Sequence, residues 1–186
     1  RPLYDAVGAP SDGPWGPDWF EEVFGRRQIV IPVALAMILV TIRCRVLATS
    51  FAATIAFGGL ANLGLGALAG RPRPLLGEHP GRADSFPSGH AVEVTLLLGL
   101  LPLAVAVATR STWVGRATRL VSTGILAVLL VDGVRDGSHW PTDHLAGFAI
   151  AMFAVLLVHA VAATPGAHAS CTDCPTSALG GNRSSG

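Results

Sequence analysis

Two histidines, one carboxylate and a pair of arginines stand out in an otherwise apolar chain. They fall in three short clusters: Arg71-Pro72-Arg73-Pro74, then Ser85-Phe86-Pro87-Ser88-Gly89-His90, then His139-Trp140-Pro141-Thr142-Asp143. A histidine nucleophile, a second histidine as proton donor, arginines and a Gly-containing turn are what is needed to bind a phosphate group and break its ester.

Each cluster has its own chemistry. Pro87-Ser88-Gly89-His90 opens an apolar run. Proline suits a helix start, and the first backbone amides of a helix are unpaired. Those amides, that of Gly89 included, and the Ser88 hydroxyl can hold anionic oxygens, with the helix dipole assisting. His90 follows, placed to give a proton to a leaving oxygen. The same residues also fit an ordinary helix cap beside an interfacial histidine. His139 and Asp143 are four residues apart at the start of the last apolar run. A carboxylate bonded to one imidazole nitrogen fixes the tautomer and makes the other more basic, ready to attack phosphorus. A metal pair is the other reading of His139 and Asp143, but no third and fourth ligand shows metal spacing. His144 reads as an interfacial residue pointing elsewhere on the helix. Arg73 has the planar fork that matches phosphate oxygens, and Arg71 either does the same or snorkels from a helix end.

The elements that must position these groups are membrane helices. Hydrophobic residues make up 51% of the 186, charged residues only 13%, and mean hydropathy is +0.53. A soluble domain carries roughly 25% charged residues. The net charge of +1 offers no broad basic surface for nucleic acid. Five apolar runs cover residues 28–42, 46–69, 89–109, 118–134 and 143–163. Most reach the roughly 17–25 residues that cross a bilayer core; the first and fourth are short. Small residues crowd the second run, where they let helix backbones approach. The fold expected is an all-α polytopic membrane helix bundle with five transmembrane helices. Residues 1–27 are expected as an extracytoplasmic loop and interfacial helix, because Trp15, Trp19, Phe20 and Phe24 suit the membrane interface. Residues 28–163 form the membrane domain, and 164–186 a flexible tail rich in Ser, Thr and Gly.

Five crossings in series put links 43–45 and 110–117 on one side. They put 70–88, 135–142 and the N-terminal segment on the other, so all three clusters share a side. Arg43, Arg45, Arg110, Arg116 and Arg119 mark the opposite side as cytoplasmic. The clusters then face the periplasm or exterior, with the protein multi-pass in the cell membrane. Three cysteines make no disulfide framework, and Cys171-Thr172-Asp173-Cys174 is half of a zinc site without its other half. Cys44, between two arginines, reads as a loop residue.

The three clusters, in this order, resemble the type 2 phosphatidic acid phosphatase superfamily, membrane lipid phosphatases related to vanadium haloperoxidases. That family's signature is KxxxxxxRP, PSGH and SRxxxxxHxxxD. Arg73-Pro74 matches the end of the first motif, Pro87-Ser88-Gly89-His90 the whole second, and His139 with Asp143 the end of the third. The resemblance implies a metal-independent phosphatase, without cofactor, acting on a lipid phosphate such as a polyprenyl or glycerolipid phosphate or diphosphate. It implies that His139 forms a phosphohistidine, Asp143 orients it, and His90 protonates the leaving alkoxide and then activates water. Arg73, Ser88 and the Gly89 amide would hold the phosphoryl oxygens. The family has six helices with the first motif after the third, which implies a sixth helix upstream of Arg1. Two family cations are absent from their slots: the lysine position holds Gly66, and the Ser-Arg position holds Asp132-Gly133. Arg71 and Arg135 lie near enough to substitute. Glu93, one turn after His90 within a membrane run, is a further ionisable group, expected to pair with Arg71 or Arg135 or to orient His90. Two alternatives to hydrolysis stay open: a lipid phosphotransferase, and a catalytically impaired lipid-phosphate-binding protein.

Overall fold

The computed structural model describes residues 27–75, 84–135, 139–164 and 167; residues 1–26, most of the tail, and links 76–83 and 136–138 lie outside the described residues. Among the described residues five helices follow one another: α1 Arg27–Thr41, α2 Arg45–Ala69, α3 Gly89–Thr109, α4 Thr112–Arg135 and α5 Pro141–Ala162. The expected interfacial helix within 1–27 and the Cys171–Cys174 pair fall outside the described residues.

Among the described residues, four helices are long and apolar enough to cross a membrane: α2, α3, α4 over Thr112–Val131, and α5. The all-α bundle of five helices expected from the sequence is present, and the first of them, apolar over Ile29–Thr41, is shorter than the other four within the described residues. At 1.5 Å per residue the 15 described residues of α1 rise about 22 Å, against a hydrocarbon core of ~30 Å. A tight turn at residues 42–44 ends α1: the Cys44 amide donates to Thr41 O (2.8 Å) and Cys44 O accepts from the Ala48 amide (2.9 Å).

The α3–α4 link is also shorter than expected. Residues 110–117 are not a loop, because α4 begins at Thr112. Arg110 adopts the left-handed conformation (φ 53°) and Ser111 Oγ accepts from the Val114 amide (3.4 Å), so two residues reverse the chain. Arg116 and Arg119 therefore ride on the first turns of α4. Cys44 is buried and disulfide-bonded, which the count of three cysteines did not anticipate.

α3 is the central element. It contacts each of the other four helices, and 67% of its membrane-length window is buried against 17% for α2 and for α4. Phe51 and Leu47 of α2, Leu100 of α3 and Val155 and Ala151 of α5 meet in the main core. Leu60, Leu63, Leu68, Leu120 and Leu156 remain exposed, as a lipid-facing surface requires. Near the end of α5 remote from the clusters, the partly buried His159 donates from Nε2 to Gly99 O (3.1 Å), a polar tie between α5 and α3.

α5 meets the start of α3 almost backbone to backbone. A Cβ built on Gly147 would stand 2.7 Å from Ser88 O and 3.3 Å from the Val92 amide nitrogen, so only glycine permits this approach. Gly64, also helical, has nothing within 4 Å of such a Cβ. Gly147→Ala should therefore lower stability by about 1–3 kcal/mol through forced separation of α3 and α5. Gly64→Ala should leave it unchanged or raise it by up to about 1 kcal/mol. Thermal unfolding of the purified variants in detergent checks both.

Candidate active site

The site is assembled where three chain segments converge at one end of the bundle. α2 ends on Gly70, whose left-handed conformation (φ 51°) carries its amide back to Gly66 O (3.1 Å). That turn aims Arg71-Pro72-Arg73-Pro74 across the end of α5. The Ser85 amide donates to Arg71 O (3.0 Å), and Trp140 Nε1 donates to Pro72 O (3.0 Å). The three clusters are thus physically joined.

Asp143 sits at their centre, fully buried. It is the third residue of α5, and its Oδ2 accepts from the amide of Trp140, the residue that caps the helix (2.9 Å). Oδ2 also accepts from Ser85 Oγ. Oδ1 accepts from Arg71 Nη1 at 2.8 Å, and the same nitrogen donates to Thr142 Oγ1 at 2.7 Å. Arg71 is further held over the Trp140 ring, 5.4 Å from its centroid. The Asp143 carbonyl accepts from the Ser88 amide (3.1 Å), which binds the start of α3 to the start of α5.

His139 precedes α5 and is buried. The hydrogen bond anticipated from His139 to Asp143 is not formed: Nδ1 stands 3.9 Å from Oδ2. Nδ1 instead donates to Ser85 O at 2.8 Å. A carbonyl only accepts, so Nδ1 must carry the proton and Nε2 the lone pair. Asp143 makes no hydrogen bond to the imidazole; it holds Ser85 on one side and the Trp140 amide on the other, and its charge acts on the ring from 3.9 Å. Burial pushes the His139 pKa down from 6.5 to about 4, and the charges of Arg73 and His144 add to that; the Ser85 hydrogen bond and Asp143 act in the opposite direction. The ring is neutral at physiological pH, the state a nucleophile or base requires.

The two arginines have separated. Arg71 is committed to Asp143, and Arg73 pairs through Nε with Asp84 (2.7 Å) while remaining close enough to act electrostatically on His139. Ser88 is buried and caps α3, its Oγ accepting from the Ala91 amide (3.4 Å). Gly89 and His90 form the first turn of α3, half-buried. Arg135 is the last residue of α4, not part of a link, and its side chain lies outside the described residues. Glu93 is half-buried on α3, and the expected pair with Arg71 is absent, since Arg71 binds Asp143.

Sequence reasoning assigned no role to Ser85, Trp140 or Thr142, although all three lie inside the quoted clusters. It also misplaced His144. That residue is buried, and its ring meets His139 edge to face (centroids 5.3 Å apart, 70° between planes). His139 lies outside the helix and folds back over the first turn of α5, so helical spacing could not reveal the contact.

A neutral His139 sets the pH dependence expected of any reaction that uses it as nucleophile. The active form is deprotonated, so activity falls only as pH drops through about 4, well below the usual histidine value of 6.5. Arg73→Gln removes a cation that disfavours the protonated ring, and should move this acid limb upward. A pH profile of kcat/KM for both proteins measures the two limbs.

The family model described as the PAP2 superfamily matches residues 47–166, more than half of the chain and all of the site just described. Neither the curated proteins nor the solved structures offer a match. On that match, and with four membrane-length helices carrying the site at one end, the chain belongs to the PAP2 superfamily of membrane phosphatase-like proteins.

Proposed function

We propose that the protein is an integral-membrane lipid phosphate phosphatase that works through a phosphohistidine at His139, without a metal ion. The observation that carries this reading is the Nδ1–H of His139 on the Ser85 carbonyl, which leaves the lone pair on Nε2 in a ring that burial keeps neutral. In the first step the Nε2–P bond forms and the P–O ester bond breaks, while His90 gives a proton to the departing lipid alkoxide. In the second, water attacks the phosphohistidine, His90 takes the water proton, and inorganic phosphate leaves. The Gly89 amide, the Ser88 hydroxyl and Arg73 hold the phosphoryl oxygens at the N-terminus of α3, while the Ser88 amide stays on the Asp143 carbonyl. Arg71 serves Asp143 rather than the phosphate, and Arg135 is the remaining candidate for a second cation. A polyprenyl or glycerolipid phosphate or diphosphate, entering sideways from the bilayer, is the substrate class. Residues 28–163 make up the transmembrane phosphatase domain, with α1 as a short fifth crossing.

The site end faces the periplasm or exterior in this reading. Arg43, Arg45, Arg110, Arg116 and Arg119 at the opposite end support it. The disulfide at Cys44, at that same end, favours the reverse, because disulfides persist in oxidising compartments. In a variant without native cysteines, Leu75→Cys should react with an impermeant thiol reagent on intact cells and Ser111→Cys should not; the opposite pattern inverts the orientation.

The reaction is tested with purified protein in detergent containing EDTA, offered phosphatidate and a polyprenyl phosphate in turn. Inorganic phosphate should be released from at least one of them at a rate that chelation leaves unchanged. Activity lost in EDTA and restored by zinc or magnesium overturns the metal-free reading. Appearance of the phosphate only on an added acceptor lipid makes the protein a phosphotransferase.

A further inference from the structure

The face of α2 that meets the start of α3 carries a polar side chain, Asn62, whose carbonyl oxygen has no donor among the described residues. Gly58, Asn62 and Gly66 follow at four-residue spacing and form one stripe along the helix. A Cβ on Gly58 would collide with Leu96 Cδ1 (2.4 Å), and one on Gly66 would approach Phe86 O (3.4 Å). Between them, Asn62 Nδ2 lies 3.2 Å from the position a Gly89 Cβ would take. The stripe is therefore pressed against residues 86–96, and Asn62 faces the turn whose amides form the phosphate cradle. Asn62 Oδ1 is enclosed and finds no hydrogen-bond partner among the described residues.

A buried acceptor left without a donor has lost its water hydrogen bonds with nothing to replace them, which is destabilising. Polar residues on membrane helices are expensive and mark substrate paths. Asn62 Oδ1 makes no bond from α2 to α3, because no donor among the described residues reaches it.

We infer that Asn62 is a substrate-binding residue whose Oδ1 accepts a hydrogen bond from an O–H of the bound lipid phosphate, beside the Gly89 turn. The inference rests on the phosphatase reading for the identity of the ligand. The O–H has two sources: a protonated phosphoryl oxygen, or a hydroxyl next to the phosphate on the glycerol. A monoester phosphate has its second pKa near 6, so the protonated phosphoryl form is present around neutral pH. No bond is made or broken at Asn62; its contribution is to affinity and to the pose of the ester.

Asn62→Leu keeps the approximate volume and removes the amide. Full-length wild type and variant are compared in detergent for thermal unfolding, for binding of dodecyl phosphate and lysophosphatidate, and for phosphate release. Dodecyl phosphate carries an O–H only on its phosphate, whereas lysophosphatidate adds a glycerol hydroxyl. The expected result is roughly tenfold weaker binding with a matching rise in KM, kcat within about twofold, and an unfolding temperature equal to or above that of wild type. Weakening of both ligands assigns the donor to the phosphoryl group, and weakening of lysophosphatidate alone assigns it to the glycerol hydroxyl. Wild-type affinity for both ligands in the variant overturns the inference, as does a lowered unfolding temperature with KM unchanged, which is the signature of a packing role. Should Asn62→Leu fail to fold, the packing role stands and the inference falls, unless Asn62→Ala folds and shows the affinity loss. If wild type binds these lipids but releases no phosphate, the phosphatase reading fails on its own while the affinity comparison still decides Asn62.

Discussion

A carboxylate removed from water must be surrounded by donors, and at Asp143 that requirement organises one end of the bundle. Its oxygens take Arg71, Ser85 Oγ and the Trp140 amide, and its own carbonyl takes the Ser88 amide. Removing donors from a buried charge costs several kcal/mol, so these partners are held by more than geometric convenience. Because they come from the segment after α2, the start of α3 and the start of α5, the carboxylate ties together stretches up to 72 residues apart. Arg71 is partly exposed (38%), so its contribution lies more in fixing orientation than in strong attraction across low dielectric.

The bilayer-spanning part supplies what Asp143 cannot, a rigid approach of α3 and α5. Gly147 lets α5 lie on the first turn of α3, and this contact adjoins the Ser88–Asp143 hydrogen bond. Packing in the apolar core and polar bonding at the end therefore specify the same arrangement. His139, outside the helix, hangs between Ser85 O and the His144 ring. Its position is set by atoms that are themselves set by Asp143.

Much of this was legible locally. A Pro-Ser-Gly sequence before an apolar run announces a capped helix start, and Ser88 caps α3. Trp140-Pro141 before an apolar run likewise marks the start of α5, with Asp143 in its first turn. The side shared by the clusters followed from counting crossings. What spacing could not supply was partner choice. The four-residue interval between His139 and Asp143 suggested a direct bond, but the cap amide of Trp140 and distant donors claim the carboxylate first. Arg71 and Arg73 are two residues apart in an irregular segment, where nothing local says which side chain turns toward α5. The early start of α4 was hidden because Arg116 and Arg119 interrupt the apolar pattern, although Ser111 offers a cap signal. Asn62 carried no motif, and only its neighbours across the helix interface give it meaning.

Those relations make the state of His139 the central claim: a neutral, buried imidazole with its nucleophilic nitrogen selected by a backbone carbonyl. The most direct measurement is to incubate His90→Ala with a radiolabelled short-chain lipid phosphate, quench in alkali and map the label. Without the acid that assists departure of the leaving group and activates water, a slowly formed phosphoenzyme should persist, acid-labile and alkali-stable. It should map to the peptide containing His139 and disappear in the His90→Ala, His139→Ala double variant. Label on His144 or on another residue, or turnover by wild type with no trappable phosphoenzyme, would contradict the account.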